Sequence, residues 1–191
     1  MWIRGRYGKS VNKDFYKDWR AQKKFSGGGI LIDQGIHMLD LYLLFVGSFN
    51  KVHALVSNLY WKCNIEDNVF VNLENTKKKI AASFHSTMTQ WRHLFSIEIF
   101  FQKGNIILNG LITPSKNYGA EVLTISSKRN THPVAMWNKE KVYKYKIDKS
   151  WSNEIDNFFD LVFKKNKNNN DLNEAYKLMK LIDKIYSFKK Y

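Results

Sequence analysis

Between Asn68 and Phe101 the chain switches repeatedly into period-two alternation. Val69, Val71 and Leu73 alternate with more polar neighbours in Asn68 to Leu73, apart from Phe70. Ile80, Ala82 and Phe84 oppose Ala81, Ser83 and His85 in Ile80 to Thr87. Phe95, Ile97, Ile99 and Phe101 share one side of Phe95 to Phe101. Alternate side chains of an extended strand point to opposite faces, so such stretches are half-buried strands. Lys51 to Trp61, rich in β-branched and aromatic residues, reads as a further strand. Shorter ones are expected at Ile106 to Leu108, Glu121 to Ser126 and Lys141 to Ile147. Glu74-Asn75-Thr76-Lys77 and Lys103-Gly104-Asn105 read as hairpin turns.

Residues 1–8 read as a strand ending at Gly8. Residues 9–29 are polar and irregular, with a short helix near Asp14 to Trp19, and end in Gly27-Gly28-Gly29. A strong helix is expected from Ile30 to Val46, with Gly47 at an αL C-cap. The chain closes on two more helices. Trp151 to Phe163 repeats Ile155, Phe158, Phe159 and Val162. Leu172 to Tyr186 carries Ala175, Leu178, Met179, Ile182, Ile185 and Tyr186 at helical spacing. Asp171 stands as its N-cap, with Glu174 at capping-box distance. Lys164 to Asn170 is a solvated linker within one domain. Strands in a run with helices before and after describe an α+β domain: an open, mostly antiparallel β-sheet with helices packed on one face.

Composition narrows the function. The 191 residues include 13 Phe, 10 Tyr and 6 Trp, too many for a disordered chain and enough for one domain with a core. Cys63 is the only cysteine, so no intrachain disulfide scaffold exists, and the expected setting is cytoplasmic. The start has no apolar signal segment. Ile30 to Val46 carries Asp33, Gln34, His37 and Asp40 where a membrane span wants about 20 apolar residues, so no membrane segment is expected. A strand under way at residue 1 leads us to expect part of a larger protein. The net charge of +14 is spread over lysines at 77–79, 139–149 and 164–167. Such an excess attracts anions at long range, but these lysines do not cluster and no nucleic-acid motif accompanies them.

The helix from Ile30 to Val46 is apolar nearly all round, hence buried. Asp33, His37 and Asp40 stand at i, i+4 and i+7 and so share a stripe. They line either a cleft or a polar network satisfied by neighbouring groups, since burial without partners costs kilocalories per group. In a cleft, Asp33 and His37 suit proton transfer. A metal site would need a third ligand, and His53, His85 and His93 have no metal spacing, while His132 beside Pro133 is a loop residue. Gly27-Gly28-Gly29 before a helix is compatible with an anion at the helix N-terminus or with close backbone approach. Neither G-x-G-x-x-G nor G-x-x-x-x-G-K-[ST] occurs, so no nucleotide site is visible.

The run Trp19-Arg20, then Ser26-Gly27-Gly28-Gly29-Ile30-Leu31-Ile32-Asp33-Gln34-Gly35-Ile36-His37-Met38-Leu39-Asp40-Leu41, closely resembles the substrate domain of the Gfo/Idh/MocA oxidoreductases. Arg4-Gly5-Arg6-Tyr7-Gly8, Glu66-Asp67-Asn68 at a strand start, and Thr89-Gln90-Trp91 after a strand support the likeness, which extends over essentially residues 1–191. The resemblance implies a C-terminal substrate-binding and oligomerising domain whose partner Rossmann domain binds NAD or NADP. It implies His37 as proton acceptor or donor and Asp33 as the residue that positions substrate or tunes it. It offers Trp19, Arg20 and Gln34 as substrate-pocket residues, and no cofactor-binding or metal residue. The family's N-terminal Rossmann domain and the lysine of its E-K-P motif fall outside this sequence, so the chain alone is expected to be inactive and to hold no NAD(P).

Three readings follow. The first is the substrate half of an NAD(P)-dependent oxidoreductase acting by hydride transfer on a sugar, nucleotide sugar or cyclitol, assembled as a homo-oligomer through the sheet face. The second is a non-catalytic orphan domain serving oligomerisation or ligand binding. A basic nucleic-acid binder, motivated by charge alone, ranks third.

Overall fold

The computed structural model describes residues 1–127, 140–163 and 170–189. His132, Pro133 and most of the expected linker at 164–170 lie outside the described residues. Among the described residues eight strands form one open sheet: β1 (Trp2–Ser10), β2 (Lys51–Ser57), β3 (Asn68–Asn75), β4 (Ile80–Thr87), β5 (Thr89–Phe100), β6 (Gly104–Asn109), β7 (Val122–Ser127) and β8 (Lys141–Lys144), in the order β2-β3-β4-β1-β5-β6-β7-β8. Only β1 with β4 is parallel; every other neighbouring pair is antiparallel. The fold is the expected α+β architecture.

Alternation decides which residues enter the core. Ile3 lies opposite Ala82 on one side and Ile99 on the other, and Tyr7 lies opposite Ser86 and Phe95. These residues share the inner face with Val52, Val56, Val69, Val71, Leu73 and Phe84, all buried. Helix α2 (Ile36–Val46) lies on this face and buries Met38, Leu39, Tyr42 and Val46. Complete burial of each large apolar side chain contributes roughly 1.5–3 kcal/mol. The Tyr42 hydroxyl donates to the Ser83 carbonyl at 2.6 Å, which satisfies its one polar atom inside the core. Helix α4 (Asn170–Tyr186) packs beside α2 and over β2, burying Leu178, Leu181, Ile182 and Ile185.

The outer face is mixed. Trp2 stacks on Phe100 at 3.8 Å, Phe70 stacks on His85 at 4.0 Å, and Arg4 grips Glu98 with contacts at 2.7 and 3.0 Å. Helix α3 (Ser150–Phe163) buries none of its residues, although its apolar residues recur at helical spacing.

Several expected boundaries move. Residues 15–17 and 19–21 form two 3-10 turns rather than one helix, and the short α1 (Lys23–Ser26) follows. Helix α2 begins at Ile36 because Leu31–Gly35 winds as a π turn. Gly47 has a positive φ of 84°, but its ψ of −147° lies outside αL. The strand expected to reach Trp61 stops at Ser57, because the Asp67 carboxylate draws the amides of Leu59, Tyr60 and Trp61 into a loop at 2.7–3.0 Å. Thr89-Gln90-Trp91 follows β4, as expected, with only Met88 between, and itself opens β5. Asp171 falls inside the first turn of α4, not at its cap. The stretch Lys23–Val46 is long and apolar enough to cross a membrane by length and composition, its most apolar 18 residues having a mean hydropathy of 1.4, contrary to the expectation of no such segment. Here it is broken at Gly27 and carries α2 onto the sheet.

Candidate functional site

The three glycines work by close approach. Gly27 ends α1 in the left-handed region at φ 77°. At Gly29 a Cβ would overlap the Glu66 carbonyl oxygen, so only glycine lets the chain pass there. That approach brings Glu66, which is fully buried, under the start of the helical segment. Its Oε1 accepts from the Gly29 amide at 2.8 Å, the Leu31 amide at 3.1 Å and the Tyr186 hydroxyl at 2.8 Å. The Glu66 carbonyl also accepts from the Ile30 amide at 3.1 Å. A carboxylate of the chain itself therefore fills the place where an anion could have docked on free amides.

Beyond this anchor the π turn carries Asp33 to the end of the interior strand β1. A π turn holds more residues per turn than an α-helix, which breaks the stripe expected from regular spacing. Asp33 consequently pairs with neither His37 nor Asp40. Its Oδ2 lies 2.9 Å from Lys9 Nζ, and its Oδ1 lies 3.8 Å from Arg20 Nε. Arg20 also approaches Asp18 at 3.7 Å and lies over the Trp19 ring at 4.5 Å. Trp19, Arg20 and Asp33 thus meet in the wall of one cleft of about 150 Å³, with Phe15, Ile32 and Met88 as its apolar lining. On the far side of Arg20 a second cleft of about 440 Å³ runs between Lys9 and Lys17.

Gln34 turns away from this cleft. Its Oε1 accepts from the Tyr118 hydroxyl at 3.0 Å. Tyr118 packs edge-on against Tyr7 at 5.6 Å and against His93 at 4.8 Å. Burial raises the pKa of both tyrosines, so both phenols stay protonated at neutral pH. Burial, then the charge of Lys9, lowers that of His93. His37 is exposed, with its ring 6.4 Å from Tyr7, and Asp40 is exposed one turn further along. His53 lies 6.4 Å from Phe188, and His85 Nε2 donates to Asn68 Oδ1 at 3.1 Å. Among the described residues no three His, Cys, Asp or Glu residues gather in a metal-binding group.

The structure brings together three of the five candidate residues, Trp19, Arg20 and Asp33, and places Gln34 and His37 on an adjoining tyrosine-lined surface. Sequence reading gave no site role to Lys9, Tyr7 or Tyr118 and weighed His93 only as a metal ligand; they come from β1, β5 and the loop before β7, far apart in the chain. It also missed the anchoring role of Glu66. One signal existed for that role: two acids directly before an apolar strand need buried donors.

Comparison with known proteins places the chain. Residues 1–107 match the model of the GFO/IDH/MocA C-terminal domain. The uncharacterized protein YMR315W of Saccharomyces cerevisiae is 26% identical over 160 residues, 82% of this chain and 43% of its own length. The aldose-aldose oxidoreductase of Caulobacter crescentus, solved with glycerol, superposes with a TM-score of 0.73 at 16% identity, over 98% of this chain and 52% of that one. A levoglucosan dehydrogenase, solved with NADH and levoglucosan, gives 0.59 at 18% identity over 78% of this chain and 40% of that one. The chain spans about half the length of these relatives. Its match over residues 1–107, together with the sheet and the glycine-anchored helix, makes it a member of the GFO/IDH/MocA family, through that family's C-terminal domain.

Proposed function

We propose that residues 1–191 are one substrate-binding domain, serving as half of a cytoplasmic NAD(P)-dependent oxidoreductase that acts by hydride transfer on a sugar, nucleotide sugar or cyclitol. The observation that carries this reading is the placement of Asp33, Arg20 and Trp19 in one cleft, with the Asp33 carboxylate held between Lys9 and Arg20. The relatives solved with NADH and levoglucosan, and with glycerol, support a polyhydroxylated substrate. NAD or NADP supplies hydride chemistry in the complete enzyme. The residues described here do not fit its diphosphate, because the amides at the helix start are already taken by Glu66.

This chain's own contribution is to bind and to move a proton. Asp33 accepts a substrate hydroxyl's hydrogen bond while Lys9 and Arg20 hold the carboxylate in place. His37, exposed and next to Tyr7, accepts or returns the proton of the reacting hydroxyl. The test is His37→Asn in the complete enzyme: turnover falls by about 10²-fold or more with cofactor affinity unchanged, as loss of a general base requires. Undiminished turnover overturns the assignment. On this reading the isolated chain neither binds NADH at micromolar concentration nor turns over substrate, and calorimetry showing such binding refutes that half of it.

The second reading, a non-catalytic domain retained for association or ligand binding, is favoured by the outer sheet face. Trp2, Leu55 and Phe70 are exposed there around paired polar groups. Homo-oligomerisation through this face fits both readings, and sedimentation of the isolated chain tests it. A second reading of this kind gains ground if dimers form and no sugar binds.

A further inference from the structure

We infer that the substrate is an uncharged polyol or monosaccharide rather than a sugar phosphate or nucleotide sugar. This rests on the proposed substrate-binding role of the Asp33 cleft and narrows it. The chain as a whole carries +14, so its overall field would favour an anionic ligand. The lining of the two clefts on either side of Arg20 is different. Lys9 faces Asp33 at 2.9 Å, Lys17 faces Asp14 at 3.0 Å, and Arg20 lies between Asp18 and Asp33 at 3.7 and 3.8 Å. Each cation lining these clefts thus has a carboxylate beside it, and the walls are close to neutral despite the basic chain.

A phosphate brought into such walls meets carboxylates at every cation. It gains little attraction there and loses its hydration. The backbone offers no substitute, since Glu66 occupies the amides of Gly29 and Leu31. A neutral sugar has the opposite fit. Its hydroxyls both donate and accept, which matches an ion pair that presents an acceptor and a donor side by side. The cleft beside Trp19 holds about 150 Å³, below the roughly 300 Å³ at which pockets for drug-sized ligands begin, a volume that suits one ring. Arg20 covers one face of the half-exposed Trp19 indole and leaves the other to pack against a sugar ring.

The test uses the 191-residue chain labelled with ¹⁵N, titrated with glucose, myo-inositol, glucose 6-phosphate and UDP-glucose. The reporters are the Trp19 indole and the amides of Gly28, Gly29 and Asp33. We expect saturable shifts with glucose or myo-inositol at affinities that salt does not change, and charged ligands that bind no more tightly. Asp14→Asn, which removes the carboxylate facing Lys17, raises glucose 6-phosphate affinity severalfold in low salt and leaves glucose unchanged. If glucose 6-phosphate or UDP-glucose binds the unmodified chain about tenfold more tightly than glucose and weakens with salt, the inference falls while the substrate-binding reading stands. If none of the four ligands moves these reporters, the substrate-binding reading fails and the inference with it. Failure of Asp14→Asn to gain phosphate affinity also overturns charge balance as the selecting device.

Discussion

Lys9 Nζ lies 2.9 Å from Asp33 Oδ2, so the carboxylate of the proposed acid/base site is held by the end of β1 and not by its helical neighbour His37. Both side chains are about one-quarter exposed, a setting in which an ion pair adds little stability. Lys9→Met should therefore cost about 1 kcal/mol or less in urea unfolding. In the complete enzyme the same change should raise KM or lower kcat by far more than that cost explains. Equal kinetics in the variant would show that the pair does not orient Asp33 for substrate.

Glu66 offers the contrasting case, because it is buried and three donors converge on one of its oxygens. Glu66→Ala strips all three at once and should destabilise the domain by about 3 kcal/mol or more. Tyr186→Phe removes one donor and should cost about 1 kcal/mol. A midpoint of urea unfolding within error of the original for Glu66→Ala would disprove the anchoring role.

Gly29→Ala is expected to be the most damaging small substitution in the site. The new methyl would overlap the Glu66 carbonyl oxygen, which is backbone and cannot swing aside. A loss of about 4 kcal/mol, or failure to accumulate folded protein, follows from such overpacking against main chain. Gly27→Ala meets open space but keeps a left-handed φ, so it should cost only about 1 kcal/mol. Circular dichroism melts of the two variants give the comparison directly.

Stability should fall on mild acidification. Burial, then the charge of Arg6, pushes the pKa of His85 below its ordinary 6.5, and burial with Lys9 does the same to His93. With folded values depressed, the unfolded chain takes up its protons first. The stabilisation is present above about pH 6.5 and is lost as pH falls through the folded values. Urea midpoints should drop as pH falls below about 6.5, and His85→Gln should flatten that drop. An unchanged slope in this variant would remove His85 from the account.

The outer face makes a prediction about assembly. Phe70→Lys places a charge between Leu55 and His85 on that face without touching the core. If association uses this surface, sedimentation velocity should show oligomers of the parent chain and monomers of the variant. Oligomers that persist in the variant point to another surface.

The order of strands and helices could be read from the sequence because period two and period 3.6 leave different marks on apolar residues, as Ile80–Thr87 and α4 show. Asp33, Arg20 and Trp19 could be read because a long local motif holds them. Lys9, His93 and Tyr118 could not, since nothing local in the chain announces which strand ends will meet. The failure at Asp33 and His37 has another cause. Spacing arguments assume a regular helix, and the π turn at Leu31–Gly35 shifts the phase between the two residues. Propensity extends the strand to Trp61, which the buried Asp67 overrides by gathering three amides into a loop.

β4 and β5 are separated in sequence by Met88 alone, yet they do not pair; β1 lies between them, parallel to one and antiparallel to the other. The sheet is therefore two meanders, β2-β3-β4 and β5-β6-β7-β8, which can each form from neighbouring segments and are joined by a strand from the far N-terminal end. Loop closure over such separations is slow compared with hairpin formation. Insertion of β1 should accordingly be a late, rate-limiting event in folding. During synthesis the first strand must wait unpaired until both of its partners have left the ribosome. With insertion limiting the rate, a mutation at Ile3 should slow refolding as well as speed unfolding.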